Sequence, residues 1–212
     1  MREIEVRGPE GLIETRLDLP AGGAAPRGVA VLCHPHPLYG GTLDNKVVHT
    51  LARTMNELGL AALRFNFRGV GASRGRYAEG IGEQDDLRAV LDAAGAHWPG
   101  LPLWLGGFSF GAYVSVAVAA GRLPAQLVSI APPVNLFDFT AISRPDCPWL
   151  IVQGGADDIV PADEVRAWAV GLAPAPRLVE MMDAGHFFHG RLNHLREILS
   201  RELSVPRSAR RT

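Results

Sequence analysis

The sequence predicts an α/β fold: one domain built on a mostly parallel, doubly wound sheet, with an antiparallel hairpin at its N-terminal edge and no large lid. Three observations predict it. Six short apolar runs (Val29–Cys33, Ala61–Phe65, Leu103–Leu105, Leu127–Ile130, Trp149–Val152 and Leu178–Met181) lack the alternation of a half-exposed strand, which suits strands covered on both faces. Segments of helical period lie between them. No internal repeat and no linker-like Ser, Gly or Pro tract breaks the order.

The elements follow in turn. Glu3–Val6 and Ile13–Leu19 read as the edge hairpin, the second alternating Ile13, Thr15, Leu17, Leu19, with Gly8, Pro9, Glu10 and Gly11 as its turn. Val47, Val48, Leu51, Met55 and Leu58 form one helical stripe, and Leu87, Val90, Leu91, Ala94 and Trp98 a second. Val165, Trp168, Ala169 and Leu172 form a third, and Leu192, Leu195, Leu199 and Leu203 a fourth. Ala112–Ala120 is apolar on every side, as a central buried helix would be. Asp85 and Asp86, at the start of the second helix, read as carboxylates complementing its dipole. The domain is expected over residues 1–205, with 206–212 as a flexible basic tail carrying Arg207, Arg210 and Arg211.

Composition narrows the function. The 212 residues are 47% hydrophobic and 20% charged, far from the composition of a disordered chain or a coiled coil. Twenty-one Lys and Arg balance 22 Asp and Glu for a net charge of −1, which argues against a nucleic-acid partner. Nearly all the positive charge is arginine, Lys46 being the one lysine. Cys33 and Cys147 make neither a disulfide framework nor a metal-binding C-x-x-C pair, so a cytoplasmic setting is expected. The charged N-terminus lacks a signal-peptide core, and no apolar run is long enough to span a membrane.

In a doubly wound sheet the chemistry gathers where strands end. After the Leu103 strand comes Gly107-Phe108-Ser109-Phe110-Gly111, a Gly-x-Ser-x-Gly sequence at a strand-to-helix turn. A nucleophile on so tight a turn needs residues without side chains two before and two after it. With 24 glycines and eight serines, chance alone supplies roughly 0.1 such patterns, so the context must carry the assignment. Asp157 or Asp158 follows the Trp149 strand and His186 follows the Leu178 strand. A serine needs a base and the base needs an orienting carboxylate, so Ser, Asp and His after successive strands point to nucleophilic catalysis. Taken singly, the serine and the aspartates also suit helix caps and the histidine a plain loop residue.

These motifs resemble the α/β-hydrolase superfamily, and more narrowly the small, lid-poor bacterial serine hydrolases related to dienelactone hydrolase. The shared pattern runs through Cys33-His34-Pro35-His36-Pro37-Leu38-Tyr39-Gly40-Gly41 with Asn45-Lys46, Phe65–Gly71, Gly82–Leu87, the serine turn, Gly154–Asp157 and Gly185–Phe188. The dienelactone enzyme resembles a cysteine-nucleophile design, whereas Ser109 stands here. The resemblance implies Ser109 as nucleophile, His186 as base and then acid, and Asp157 as the orienting carboxylate, with Asp183 a weaker rival. It further implies an oxyanion hole from the backbone N–H groups of Phe110 and His36, with Leu38 as fallback, because Pro35 and Pro37 have no N–H.

Only Ala131–Asp146 separates two strands where relatives insert a lid, so an open site for short-chain or exposed esters is expected, walled by Leu38, Tyr39, Phe137 and Phe139. His34 and His36 lack a third ligand nearby, so no metal is expected, and no cofactor. Partners are then a small ester and water, acting on a monomer or small homo-oligomer. A thioesterase, amidase, peptidase or perhydrolase would use the same three residues. An idle hydrolase fold serving as a binding module would keep them unused.

Overall fold

The computed structural model describes residues 4–203. The tail over 206–212 and the first residue of the expected hairpin, Glu3, lie outside them. Nine strands and five α-helices follow one another: β1 (Val6–Gly8), β2 (Gly11–Ile13), β3 (Thr15–Asp18), β4 (Val29–Cys33), α1 (Lys46–Glu57), β5 (Ala61–Phe65), α2 (Gly82–His97), β6 (Leu103–Phe108), α3 (Phe110–Arg122), β7 (Gln126–Ile130), β8 (Trp149–Gly154), α4 (Ala162–Val170), β9 (Arg177–Met181) and α5 (Leu192–Leu203). Seven strands form one sheet in the order β3-β5-β4-β6-β7-β8-β9, parallel except for β3. This is the α/β-hydrolase fold.

The unalternating runs are explained by the two layers they serve. Along β4, Val29, Val31 and Cys33 pack into one core with α2, α3 and α4, while Ala30 and Leu32 enter the other with α1 and α5. Both faces of the sheet are covered there, so every position of β4 is apolar. α3 lies against the middle of the sheet, which is why it is apolar all round.

The N-terminal hairpin is present but divided differently. β1 and β2 pair as a small separate sheet, and the second expected strand breaks at Glu14, after which β3 joins the main sheet antiparallel to β5. The break has a local cause. The Glu14 carboxylate accepts from Asn66 Nδ2 at 2.7 Å and from the Ala72 N–H at 2.8 Å, and its own N–H donates to Ser73 Oγ at 2.9 Å. A residue so engaged with the 66–73 loop cannot also continue a ladder.

Of the expected pair of caps, Asp85 stands in the first turn of α2 as expected, while Asp86 departs from that role. Asp85 faces solvent beside Arg88. Asp86 is 1% exposed and accepts from the backbone N–H, Nε and Nη2 of Arg68 at 2.7–3.0 Å. The clip on the start of α2 is Glu83 instead, whose oxygens take the N–H groups of Ala78 and Gly80, both at 2.8 Å. These buried carboxylates fix the loop between β5 and α2.

Between β7 and β8 the chain forms neither strand nor helix, so no lid covers the strand ends. No helix of the described residues is long and apolar enough to cross a membrane.

Candidate active site

Ser109 sits between β6 and α3 with φ 52° and ψ −120°, a conformation that L-residues adopt only when their surroundings enforce it. The enforcement is visible. The Ser109 N–H donates to the Ile130 carbonyl at 2.9 Å, tying the turn to the end of β7. A Cβ on Gly107 would strike the carbonyl of Gly111, and one on Gly111 would strike the carbonyls of Cys33 and His34. Two glycines therefore let the start of α3 press against both its own strand and the end of β4. Ser109 makes no capping bond to α3, so the plain helix-cap reading does not hold.

Its hydroxyl instead donates to His186 Nε2 at 3.0 Å, and His186 Nδ1 donates to Asp157 Oδ2 at 2.8 Å. The three expected side chains thus meet in one hydrogen-bonded relay. Bonds between the two loops set the spacing: the Ala156 N–H donates to the Ala184 carbonyl and the Gly155 N–H to Met181. The His186 ring is buried and packs against both Phe108 and Phe187, about 5.1 Å from each ring centre.

Asp157 is buried, with one oxygen for His186 and the other accepting the N–H groups of Ile159 and Val160 at 2.9 and 2.8 Å. Burial pushes its carboxyl up, but the bonds from His186, Val160 and Ile159 outweigh burial and hold it below the ordinary value. Gln153 Nε2 adds a contact to Oδ2 at 3.1 Å while also reaching the Val160 carbonyl, a support the sequence reading missed. Asp158 is exposed, and Asp183 pairs with Arg191 at 2.7 Å, away from the histidine.

The His34–Gly41 loop is held by two rings. His34 is fully buried; its Nε2 accepts the Phe67 N–H at 3.0 Å, so Nδ1 carries the proton and donates to the Pro35 carbonyl at 2.6 Å. With both nitrogens committed to backbone, His34 offers no lone pair to a metal, and the described residues contain no cluster suited to hold one. His36 Nδ1 accepts the Leu38 N–H, leaving Nε2–H to donate to the Tyr77 hydroxyl at 3.2 Å. The His36 ring is thus a brace between the loop and the segment after β5.

Burial, opposed by the Pro35 bond, lowers the His34 pKa to about 4 from 6.5. The unfolded chain therefore takes up a proton on this ring below about pH 6.5, and the folded chain does so only near pH 4. Its contribution is whole above pH 6.5 and is lost as the pH falls toward 4, amounting to about 3 kcal/mol. Urea unfolding at pH 7 and pH 4.5 should show this loss, and His34→Gln should flatten that pH dependence.

A cavity of about 460 Å³ opens over Ser109 and His186. Its wall is mainly apolar and includes Tyr39, Phe110, Leu136, Phe137, Ile159 and Phe187. Tyr39 and Phe137 stand where the sequence placed them. Leu38 does not: on the short turn Pro37–Tyr39 both side chains are exposed, but only Tyr39 borders the cavity, at its rim. Phe139 is buried between Tyr113 and Trp168 and belongs to the core. Leu136, Ile159 and Phe187 were missed; for the last two, apolar residues within two positions of Asp157 and His186 were the available signal.

Comparison with known proteins finds the chain similar to α/β serine hydrolases. Residues 24–143 match the profile of a family described as serine aminopeptidase, S33. An alpha-beta serine hydrolase homologue from Coxiella burnetii is 48% identical over 95% of this chain and 97% of its own, with a TM-score of 0.91. A serine hydrolase without a lid from Xanthomonas campestris is 45% identical over 96% of this chain and 93% of its own, with a TM-score of 0.92. An uncharacterized protein of Rickettsia prowazekii is 39% identical over 171 residues, 78% of this chain and 71% of its own.

Proposed function

The chain belongs to the serine aminopeptidase (S33) family of α/β serine hydrolases, and from that membership we propose that it hydrolyses short or exposed carboxylic esters through an acyl-enzyme on Ser109. The observation that carries the reading is the Asp157–His186–Ser109 relay opening into an apolar cavity with no lid. His186 takes the Ser109 proton as the oxygen attacks the ester carbonyl, and the ionised Asp157 stabilises the imidazolium that results. The proton then passes to the leaving alcohol. Water, deprotonated by the same ring, releases the acid and restores Ser109.

The developing oxyanion is received by the N–H groups of Phe110 and His36. Phe110 opens α3, so its N–H has no carbonyl one turn earlier to bind. For the second donor, Leu38 N–H is taken by His36 Nδ1, those of Tyr39 and Gly41 by the His36 carbonyl, and Pro35 has none. That leaves the N–H groups of His36 and Gly40 in this loop, of which His36 is the one the family resemblance implies, and His34 and Tyr77 hold it still. The site asks for neither metal nor cofactor, and we place the enzyme in the cytoplasm.

The family description raises aminopeptidase activity as a second reading. Binding a free α-ammonium group calls for an acidic side chain, and none of the residues lining the cavity is acidic. This favours esters over peptides. Hydrolysis of p-nitrophenyl esters from acetate to palmitate tests the assignment: acetate and butyrate should turn over at least about tenfold faster than palmitate. A preference for palmitate would overturn the open-site reading, and release of amino acids from peptides without ester turnover would overturn the ester reading.

A further inference from the structure

Asn45-Lys46 belongs to the motif around the His34–Gly41 loop, yet the relay does not use it. Asn45 caps α1, its Oδ1 accepting the Val47 and Val48 N–H groups at 2.9 and 3.4 Å. Those bonds fix the amide plane, so Nδ2 is the free end, and Asn45 lines the reactive cavity. A second cavity of about 330 Å³ adjoins the first, sharing Gly40, Asn45 and Phe187 with it and adding Lys46 and His189.

The charges in this second cavity do not cancel locally. Asp44 is its one carboxylate, and that group is already bound by Arg16 at 2.6 Å and Arg64 at 3.2 Å. Lys46 has no ion pair among the described residues and is exposed. A substrate extending from Ser109 past Asn45 leaves an apolar wall and meets N–H donors: Asn45 Nδ2, Lys46 Nζ and the His189 ring. The complement of such a set is an anionic acceptor.

We propose that the substrate is an ester whose limb remote from the scissile carbonyl ends in a carboxylate, received by Lys46 and Asn45 in the adjoining cavity. The proposal rests on the ester-hydrolase reading and narrows its substrate to half-esters of short dicarboxylic acids. Asn45 and Lys46 are then specificity-determining residues and take no part in bond cleavage.

The first measurement is the ratio of kcat/KM for mono-p-nitrophenyl glutarate to that for p-nitrophenyl butyrate. The expected ratio is about ten, carried by KM. It falls below one in Lys46→Glu and is kept in Lys46→Arg. A wild-type ratio near one, or a ratio unmoved by Lys46→Glu, overturns the proposal.

A second measurement needs no turnover. Reductive ¹³C-dimethylation of Ser109→Ala labels Lys46 and the N-terminus, and because Lys46 is the one lysine its side chain gives a single resonance. Monomethyl glutarate should shift it saturably, and dimethyl glutarate should leave it in place. That shift without hydrolysis of any aryl ester would retire the ester reading and leave the anion site standing. Equal response to both compounds, or to neither, removes the site.

Discussion

Ser109→Ala lowers kcat/KM for p-nitrophenyl butyrate by about 10⁵- to 10⁶-fold, a loss of about 7–8 kcal/mol of transition-state stabilisation. Removing the oxygen removes the acyl-enzyme route altogether, and what survives is the help that the N–H donors and the cavity give to attack by water. The fold should survive, because alanine leaves the Ser109 N–H bond to Ile130 intact and deletes one hydrogen bond to His186. Thermal unfolding in parallel separates the two effects: the melting temperature should move by no more than a few degrees. Full turnover in the folded variant would place the nucleophile elsewhere.

Asp157→Asn costs about 10⁴-fold in kcat, or about 5–6 kcal/mol, while Asp158→Asn changes it less than about twofold. The asymmetry follows from bonding. An asparagine at 157 keeps an oxygen for the Ile159 and Val160 N–H groups and therefore turns its NH₂ toward His186 Nδ1. The ring must then carry its proton on Nε2, where it can no longer accept one from Ser109. The same NH₂ faces Gln153 Nε2 donor to donor. Asp158 is exposed and has no part in the relay. Steady-state kinetics of the two variants side by side decide between the neighbours, and comparable losses in both would withdraw the role given to Asp157.

What was legible in the sequence was what local chemistry dictates. The Val29–Cys33 run announces a strand covered on both faces because alternate residues enter opposite cores. Gly107 and Gly111 announce the serine turn because any Cβ there meets backbone. What was illegible depends on partners distant along the chain. Nothing near Glu14 tells that Asn66 and Ser73 will interrupt a strand, and nothing near Asp86 tells that Arg68 will turn an expected cap into a buried ion pair. Gln153 looked like one more strand residue until Asp157 came back beside it. Leu38 and Tyr39 are adjacent in an apolar loop and both are exposed, and the tight turn from Pro37 to Tyr39 leaves only the second at the rim of the cavity.

The bare stretch between β7 and β8 also bears on what limits the proposed turnover. Enzymes that close a flap over their substrate often wait for it to reopen, and their kcat then reports that motion. Here the described residues between β7 and β8 form no helix or strand that could serve as such a flap, so ligand exchange is expected to be diffusive and the chemical steps themselves should set the pace. Solvent viscosity should therefore leave kcat nearly unchanged, whereas deuterium oxide should slow it through the protons that His186 carries. The same openness keeps bulk water against the acyl group at all times, so added alcohols would intercept it poorly and hydrolysis would prevail over transfer.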